Sequence, residues 1–385
     1  MKVMGKKMIQ IFQKETVLCI AALLAVASMF FMPPDAAYAE YIDYSVLAIL
    51  FSLMVIMEGL RAAGVFDTIA RFMLSKADNL RKLAFIMVFL CFFSAMFITN
   101  DVALITFVPF TLLMLSMAGL NEWAITIVVL ETIAANLGSV LTPVGNPQNL
   151  YLYTISGMNI GEFLAVTFPI TLVSGLLLLV CCLFLKSNPV TLRQEEQSES
   201  EKEVLDVYQF AQNQKGVKLL FFYLLFAVAL LSVLRVIPVW IPCLIALLGT
   251  LVIQPKVLLK VDYCLLLTFV CFFVFIGNIG RVDEVRVWLE SLLSGRELII
   301  SFLASQVISN VPAAVLLADF TTEYGELIRG VNIGGMGTLI ASLASVISYK
   351  FFSQSMPQKK GKYFAYFTLF NIGFAIVLLA FAAVV

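Results

Sequence analysis

The stretch ANLGSVLTPVGNPQNLYLY, Ala135 to Tyr153, packs two prolines, two glycines, three asparagines and a glutamine between segments apolar enough for lipid. Proline removes helix donors and glycine lets backbones approach closely, so a helix entering this stretch has to break. Backbone N–H and C=O groups cannot stay unpaired in hydrocarbon, and an unwound stretch survives there only against protein, water or a ligand. The setting is a bilayer. Of 385 residues 61% are hydrophobic and 13% charged, where soluble chains carry about a quarter charged. Runs such as 17–32, 44–57, 163–185, 219–234, 238–253, 262–276 and 363–385 reach across or nearly across a core about 30 Å thick. The fold class is therefore an all-α polytopic membrane protein.

A second interruption, GVNIGGMGTLIASLASVISYK, comes late in the chain, and what precedes it repeats the first half. Each half has a helix ending in glycine, then a polar tip inside an apolar hairpin, then the interruption. Thr99-Asn100 pairs with Ser309-Asn310, Asn136-Leu137-Gly138 with Asn332-Ile333-Gly334, and Gly64-Val65-Phe66-Asp67 with Gly280-Arg281-Val282-Asp283. Breaks in corresponding places of two halves point to the midplane site of a secondary transporter. Broken ends also aim partial positive charge at an anion and partial negative charge at a cation. Segment 298–308 would rise roughly 16 Å as a helix, which reaches only mid-bilayer. The spacing thus predicts re-entrant hairpins over 83–118 and 298–320, and discontinuous transmembrane helices over 123–156 and 329–349.

Lysine and arginine collect in cytoplasmic loops. With the N-terminus inside, all of the 25 Lys and Arg except Arg235, Arg281, Arg286, Arg296 and Arg329 fall on the inner side. That path makes the two repeats inverted in topology. It divides the chain into a first helix with external linker (1–43), repeat 1 (44–185), a polar cytoplasmic linker (186–218), two scaffold helices (219–254) and repeat 2 (255–385). The tripeptide AYA at Ala37–Ala39 resembles a signal-peptidase site, but the apolar run before it is long for a signal, so an uncleaved first helix is expected. Acidic and basic residues balance at 25 each, which gives nucleic acid no footing. Seven cysteines in apolar runs, with no C-x-x-C pair and no histidine, exclude a structural zinc site or a disulfide framework. No cofactor is expected beyond a coupling ion.

At the hairpin tips, Thr99, Asn100, Ser309 and Asn310, followed by Pro312, offer amides and hydroxyls to a small oxyanion or to Na⁺; the alternative is a plain turn cap. Asp101 is a carboxylate deep in an apolar hairpin, a functional candidate by default, able to ligate Na⁺ with Asn100 and Asn310 or to exchange a proton. Structural pairing with backbone donors is its alternative. Glu131 is a weaker coupling candidate, and Glu58 is expected to pair with Arg61. In the first break Asn136, Ser139, Thr142, Pro143, Gly145, Asn146, Pro147, Gln148 and Asn149 would line the gap. Asn332, Gly334, Gly335, Gly337 and Thr338 form its partner, with close helix packing as the alternative for the glycines.

The segments TNDVALITFVPF, ANLGSVLTPVGNPQNLYLY, SNVPAAVLL and GVNIGGMGTLIASLASVISYK resemble, in that order, motifs of the ion transporter superfamily. That group holds arsenite permeases, NhaD-type sodium/proton antiporters and citrate or dicarboxylate carriers. The resemblance covers nearly the whole chain beyond about residue 40. It implies a secondary active transporter of a small anion, coupled to Na⁺ or H⁺ by alternating access, in the cell membrane. It further implies an elevator-like movement and a homodimer. Two other readings stand beside it: an arsenite or antimonite efflux permease, working with a soluble ATPase, and a Na⁺/H⁺ antiporter with Asp101 as carrier. The Asn100-Asp101 pair is most similar to the arsenite-permease tip. Dicarboxylate carriers show Ser-Asn-Thr where this chain has Thr99-Asn100-Asp101 and Ser309-Asn310-Val311. A channel would need a continuous polar path, whereas the polar residues cluster at one depth. With no H-E-x-x-H and no P-loop, neither metalloprotease chemistry nor ATP hydrolysis is expected.

Overall fold

The computed structural model describes residues 16–66, 68, 77–187 and 212–384. The basic N-terminus, most of the stretch between Phe66 and Ala77 and most of the polar linker lie outside the described residues. What is described is all-helical. In the first half α1 is Thr16–Ser28, α2 Tyr44–Ala62, α3 Leu80–Ile98, α4 Asn100–Met117, α5 Ala124–Gly138, α6 Pro147–Ser156 and α7 Ile160–Leu183. In the second, α8 is Gln212–Val233, α9 Trp240–Ile253, α10 Tyr263–Ile279, α11 Asp283–Leu293, α12 Glu297–Ile308 and α13 Asn310–Ala318. Helices α14 Tyr324–Gly334, α15 Leu343–Ser355 and α16 Lys360–Ala382 complete it.

Helix starts follow local side-chain chemistry. Asp43 accepts from the N–H groups of Ser45 and Val46, Asn79 from Lys82 and Asp262 from Leu265. Asn159 and Glu162 close a reciprocal capping box at α7. Each cap supplies a partner to helix N–H groups that have none inside the helix. Among the described residues six helices are long and apolar enough to cross a membrane, or seven if α10 and α11, bent by 106° at their junction, count as one span. The protein is an integral, multi-pass membrane protein. The arms of the first tip, α3 and α4, have 19 and 18 residues, each enough to cross alone, against 12 and 9 in α12 and α13.

Packing places the breaks at the centre. α3 lies along α5 and α12 lies along α14, the same partnership in each half. The second arms are exchanged: α4 packs on α15 of the second half and α13 packs on α6 of the first. α7 and α16 flank α5 and α14, while α2 packs on α8 and α9, and α1 on α10. Close approach is bought by glycine. A Cβ on Gly138 would sit 2.1 Å from the Phe92 carbonyl oxygen, and one on Gly334 would sit 2.5 Å from Ser305 Oγ. Outside the spans, the Arg281 guanidinium bonds Asp35 at 2.8 Å and holds its carboxyl below the usual carboxylate range, tying the loop after α1 to the α10–α11 bend.

Candidate functional site

The two tips have one backbone conformation. Thr99 takes φ 67°, ψ 146° and Ser309 takes φ 73°, ψ 154°, a region L side chains rarely adopt and one that persists only where its surroundings enforce it. In each, the following asparagine turns back on the chain: Asn100 Oδ1 accepts from Asp101 N and Asn310 Oδ1 from Val311 N, both at 3.0 Å. Each tip is also tied to a break. Thr142 Oγ1 donates to the Met96 carbonyl, and Ser309 Oγ donates to the Ala341 carbonyl at 3.3 Å.

The breaks run in register at a constant spacing of 196 positions: 136 with 332, 138 with 334, 142 with 338, 146 with 342 and 149 with 345. After Gly138 and Gly334 the chain unwinds. It makes one 3₁₀ turn at Pro143–Gly145 or Leu339–Ala341, then restarts as α6 or α15. Asn146 caps α6 by accepting from Asn149 N at 2.8 Å. Unwinding leaves carbonyls without helical partners, and side chains take them up. Asn149 Nδ2 donates to the Val140 carbonyl at 2.9 Å and to those of Ser139 and Thr142 at 3.3 Å. At the second break Gln306 of α12 does this, donating to the Gly334 and Met336 carbonyls at 2.8 Å and accepting from Thr338 N at 3.0 Å.

Between the breaks the ties cross. Asn136 accepts from Asn100 Nδ2 at 3.1 Å and from Ser342 Oγ at 3.0 Å, and donates to Ser345 Oγ at 3.2 Å. Asn332 donates to Asn149 Oδ1 at 2.6 Å and accepts from Asn146 Nδ2 at 3.3 Å. In the shared register Ser342 and Ser345 are the counterparts of Asn146 and Asn149. Each half's asparagine is thus held by the same two positions of the other half.

Four helices begin here (α4, α6, α13, α15) and four end (α3, α5, α12, α14), so both signs of partial charge converge at one depth. The groups in this network are amides and hydroxyls; no Lys or Arg of the described residues joins it. Gln148 is 2% exposed, and no hydrogen bond engages its carboxamide among the described residues, leaving an amide free for a ligand. Asp101, partly buried beside the first tip, has no ion pair among the described residues and lies in the field of Asp262. Two cavities open at opposite ends of α2, whose 19 residues make a helix about 28 Å long. One, about 740 Å³, is lined by Arg61, Lys260 and the α4 residues Thr106 and Pro109; the other, about 670 Å³, by Glu40, Asp43, Tyr151 and Asp319.

Thus Asn100, Asn136, Ser139, Asn146, Asn149 and Asn332 are joined in one buried network; Asn146 Nδ2 reaches Ser139 Oγ at 3.0 Å. Asn310 lies beside Gly335, where a Cβ would come within 2.9 Å of its Nδ2. Pro143, Gly145 and Pro312 are buried around these groups and Pro147 opens α6. Gly334 serves close contact with α12. Gly337, at φ +109°, turns the chain toward Gln306, and Thr338 is exposed with its hydroxyl on the Gln306 carbonyl. Glu58 pairs with Arg61 at 3.2 Å. Sequence reasoning missed Ser342, Ser345 and Gln306. Extending the repeat past Thr338 would have found the two serines; Gln306 has no counterpart in the register.

Comparison with known proteins places residues 8–327 in a match to the family described as citrate transporter. Inner membrane protein YbiR of Escherichia coli (strain K12) is 30% identical over 345 residues, 85% of either chain. An uncharacterized transporter of Methanocaldococcus jannaschii is 29% identical, over 89% of this chain and 90% of its own. The silicon efflux transporter LSI3 of Oryza sativa subsp. japonica is 33% identical over 38% of this chain and 30% of its own.

Proposed function

This chain belongs to the citrate transporter family of membrane transporters, and on that premise we propose a secondary active carrier of a small anion, a carboxylate or an inorganic oxyanion. The drive is Na⁺ or H⁺ and the mode is alternating access. The observation that supports it most is the crossed pair Asn136 and Asn332. Unwound backbone from both halves meets there among neutral donors and acceptors, with helix ends of both signs. Helix-end charges are partial, about half an elementary charge each, and no Lys or Arg of the described residues joins them. A multiply charged anion is poorly stabilised in such a site unless cations or protons enter with it. The chemistry therefore favours cotransport in which the load is brought close to neutral.

The two halves act as inverted repeats, and the carrier sits in the cell inner membrane as a homodimer with its N-terminus in the cytoplasm. Cavities at both ends of α2 supply approaches from the two sides. Vesicles reconstituted with the protein, given labelled citrate, phosphate and arsenite under Na⁺ or pH gradients, test the reading. Gradient-driven uptake of one of these is expected, with Asn100→Ala and Asn310→Ala each abolishing it while still inserting in the membrane. Normal uptake in both variants, or no uptake of any of the three, overturns it. Sodium-driven proton release without an anion would move the assignment to Na⁺/H⁺ antiport at Asp101.

One observation favours a second reading, efflux of arsenite or antimonite with or without a soluble ATPase. An amide-and-hydroxyl site without a fixed cation suits an uncharged oxyacid, whose hydroxyls both donate and accept. The likeness to a silicon efflux transporter supports the same chemistry. Arsenite resistance conferred on sensitive cells is the measurement that selects this alternative.

A further inference from the structure

Outside the crossed site, α5 carries Glu131, 0% exposed. Thr111 of α4 donates a hydrogen bond to its Oε1. Its Oε2 has no hydrogen-bond partner among the described residues, and none of their ion pairs includes it. Among the described residues the titratable groups within electrostatic reach are Cys91 on α3 and Tyr363 on α16, neither of them a cation at neutral pH. The charges of the other packed elements are engaged elsewhere, sit at helix ends or, for Lys350, are exposed. Arg81 holds the Leu185 carbonyl and Lys82 holds Asp78. Glu162 caps α7, Arg329 pairs with Glu326 on α14, and Asp101 opens α4. Lys350 lies in the third turn of α15, and Lys360 and Lys362 in the first turn of α16.

We propose that Glu131 is a proton-binding site and carries the coupling proton of the transport cycle, an inference that rests on the carrier reading above and deepens it. A carboxylate enclosed in apolar side chains with no cation beside it is strongly disfavoured. A neutral carboxyl lacking one hydrogen bond is far less so. Sodium would need several oxygen ligands drawn in around the carboxyl, whereas among the described residues Thr111 is its one hydrogen-bond partner, so the pocket suits a proton. The position also suits coupling. Glu131 lies five residues before Asn136 on the same helix, roughly 7.5 Å along its axis. Any movement that parts Asn136 from Ser342 and Ser345 therefore reaches the wall around Glu131. While the pocket is shut, Oε2 keeps its proton and Oε1 accepts from Thr111. When water enters, the proton passes to water and leaves the carboxylate; on the other side water returns a proton to Oε2. No other reactant is consumed.

Infrared spectroscopy of the purified full-length protein in detergent tests the site without any substrate. At pH 7 a carboxylic-acid carbonyl band is expected that shifts in D₂O, disappears in Glu131→Gln and persists in Asp101→Asn. Thr111→Val should move that band to higher frequency, because the hydrogen bond on the carbonyl oxygen is lost; this variant keeps the test decisive should Glu131→Gln fold poorly. Absence of the band, or an unchanged band in Glu131→Gln, overturns the proposal. In vesicles with citrate as the probe, an inward pH gradient should raise wild-type uptake about tenfold, and the ratio with and without gradient should fall to about one in Glu131→Gln. A ratio kept in that variant counts against Glu131. Wild-type vesicles that take up no citrate count against the substrate and leave the infrared result to decide the proton site.

Discussion

The two breaks share a register and the same helix ends, yet they satisfy their freed carbonyls from different sources. In the first, Asn149 reaches back from the restarted helix to three carbonyls of its own loop. In the second, position 149 has become Ser345, too short to reach, and Gln306 of the neighbouring hairpin arm takes over. The first break is stapled from within and the second from outside. A change at Gln306 of the second hairpin is thus felt at once by the freed carbonyls of the second break, whereas those of the first are taken up by its own Asn149. The acids divide the same way: Asp101 and Glu131 lie in the first half, opposite Val311 and Leu327.

The sharpest way to break the comparison is at the helix crossings. Gly138→Ala drives its Cβ against backbone, the Phe92 carbonyl oxygen at 2.1 Å, while Gly334→Ala meets Ser305, whose Oγ at 2.5 Å can turn away but whose Cβ at 2.6 Å cannot. Backbone cannot step aside, so Gly138→Ala should cost about 3 kcal/mol or more and Gly334→Ala, where one of the two close atoms can turn, about 2 kcal/mol; the yield and thermal midpoint of purified protein check this.

Next come the staples. Gln306→Ala and Asn149→Ala each leave buried carbonyls unpaired, at about 1–3 kcal/mol per group left bare. Asn149→Ala should cost more, since it also removes the 2.6 Å tie to Asn332. Hydrogen exchange sharpens the result: Gln306→Ala should raise exchange at the second break alone, and Asn149→Ala at both.

A smaller effect tests the acids. Asp101→Asn should reduce gradient-driven uptake about tenfold or more, whereas Val311→Asn, its mirror, should leave the gradient ratio unchanged. Smallest is Gln148→Ala, which removes a buried amide that has no hydrogen bond among the described residues. It should leave the thermal midpoint where it is and raise KM about tenfold, roughly 1.4 kcal/mol; an unchanged KM would take Gln148 out of ligand contact.

Much of this architecture is legible in the chain. Prolines, glycines and amides inside apolar runs mark the breaks, because nothing else tolerates them at that depth. Thr99-Asn100 and Ser309-Asn310 mark the tips by recurring. Ser342 and Ser345 are not legible by type, since serine in an apolar helix commonly bonds its own backbone. Only their place in the register against Asn146 and Asn149 singles them out. Gln306 cannot be read at all from the repeat, because its work compensates for a residue that the second half lacks. The exchange of α4 and α13 between halves is a long-range packing choice, and no local pattern encodes it.

The reciprocal ties of Asn136 and Asn332 also bear on how the chain is made. A ribosome that has completed the first break has produced Asn136, but Ser342 and Ser345 are still some 200 residues from synthesis. Contacts so distant along the chain form late. Until then the early amides must rest on water, on lipid headgroups or on the insertion machinery, and the first half is a nascent guest awaiting its complement.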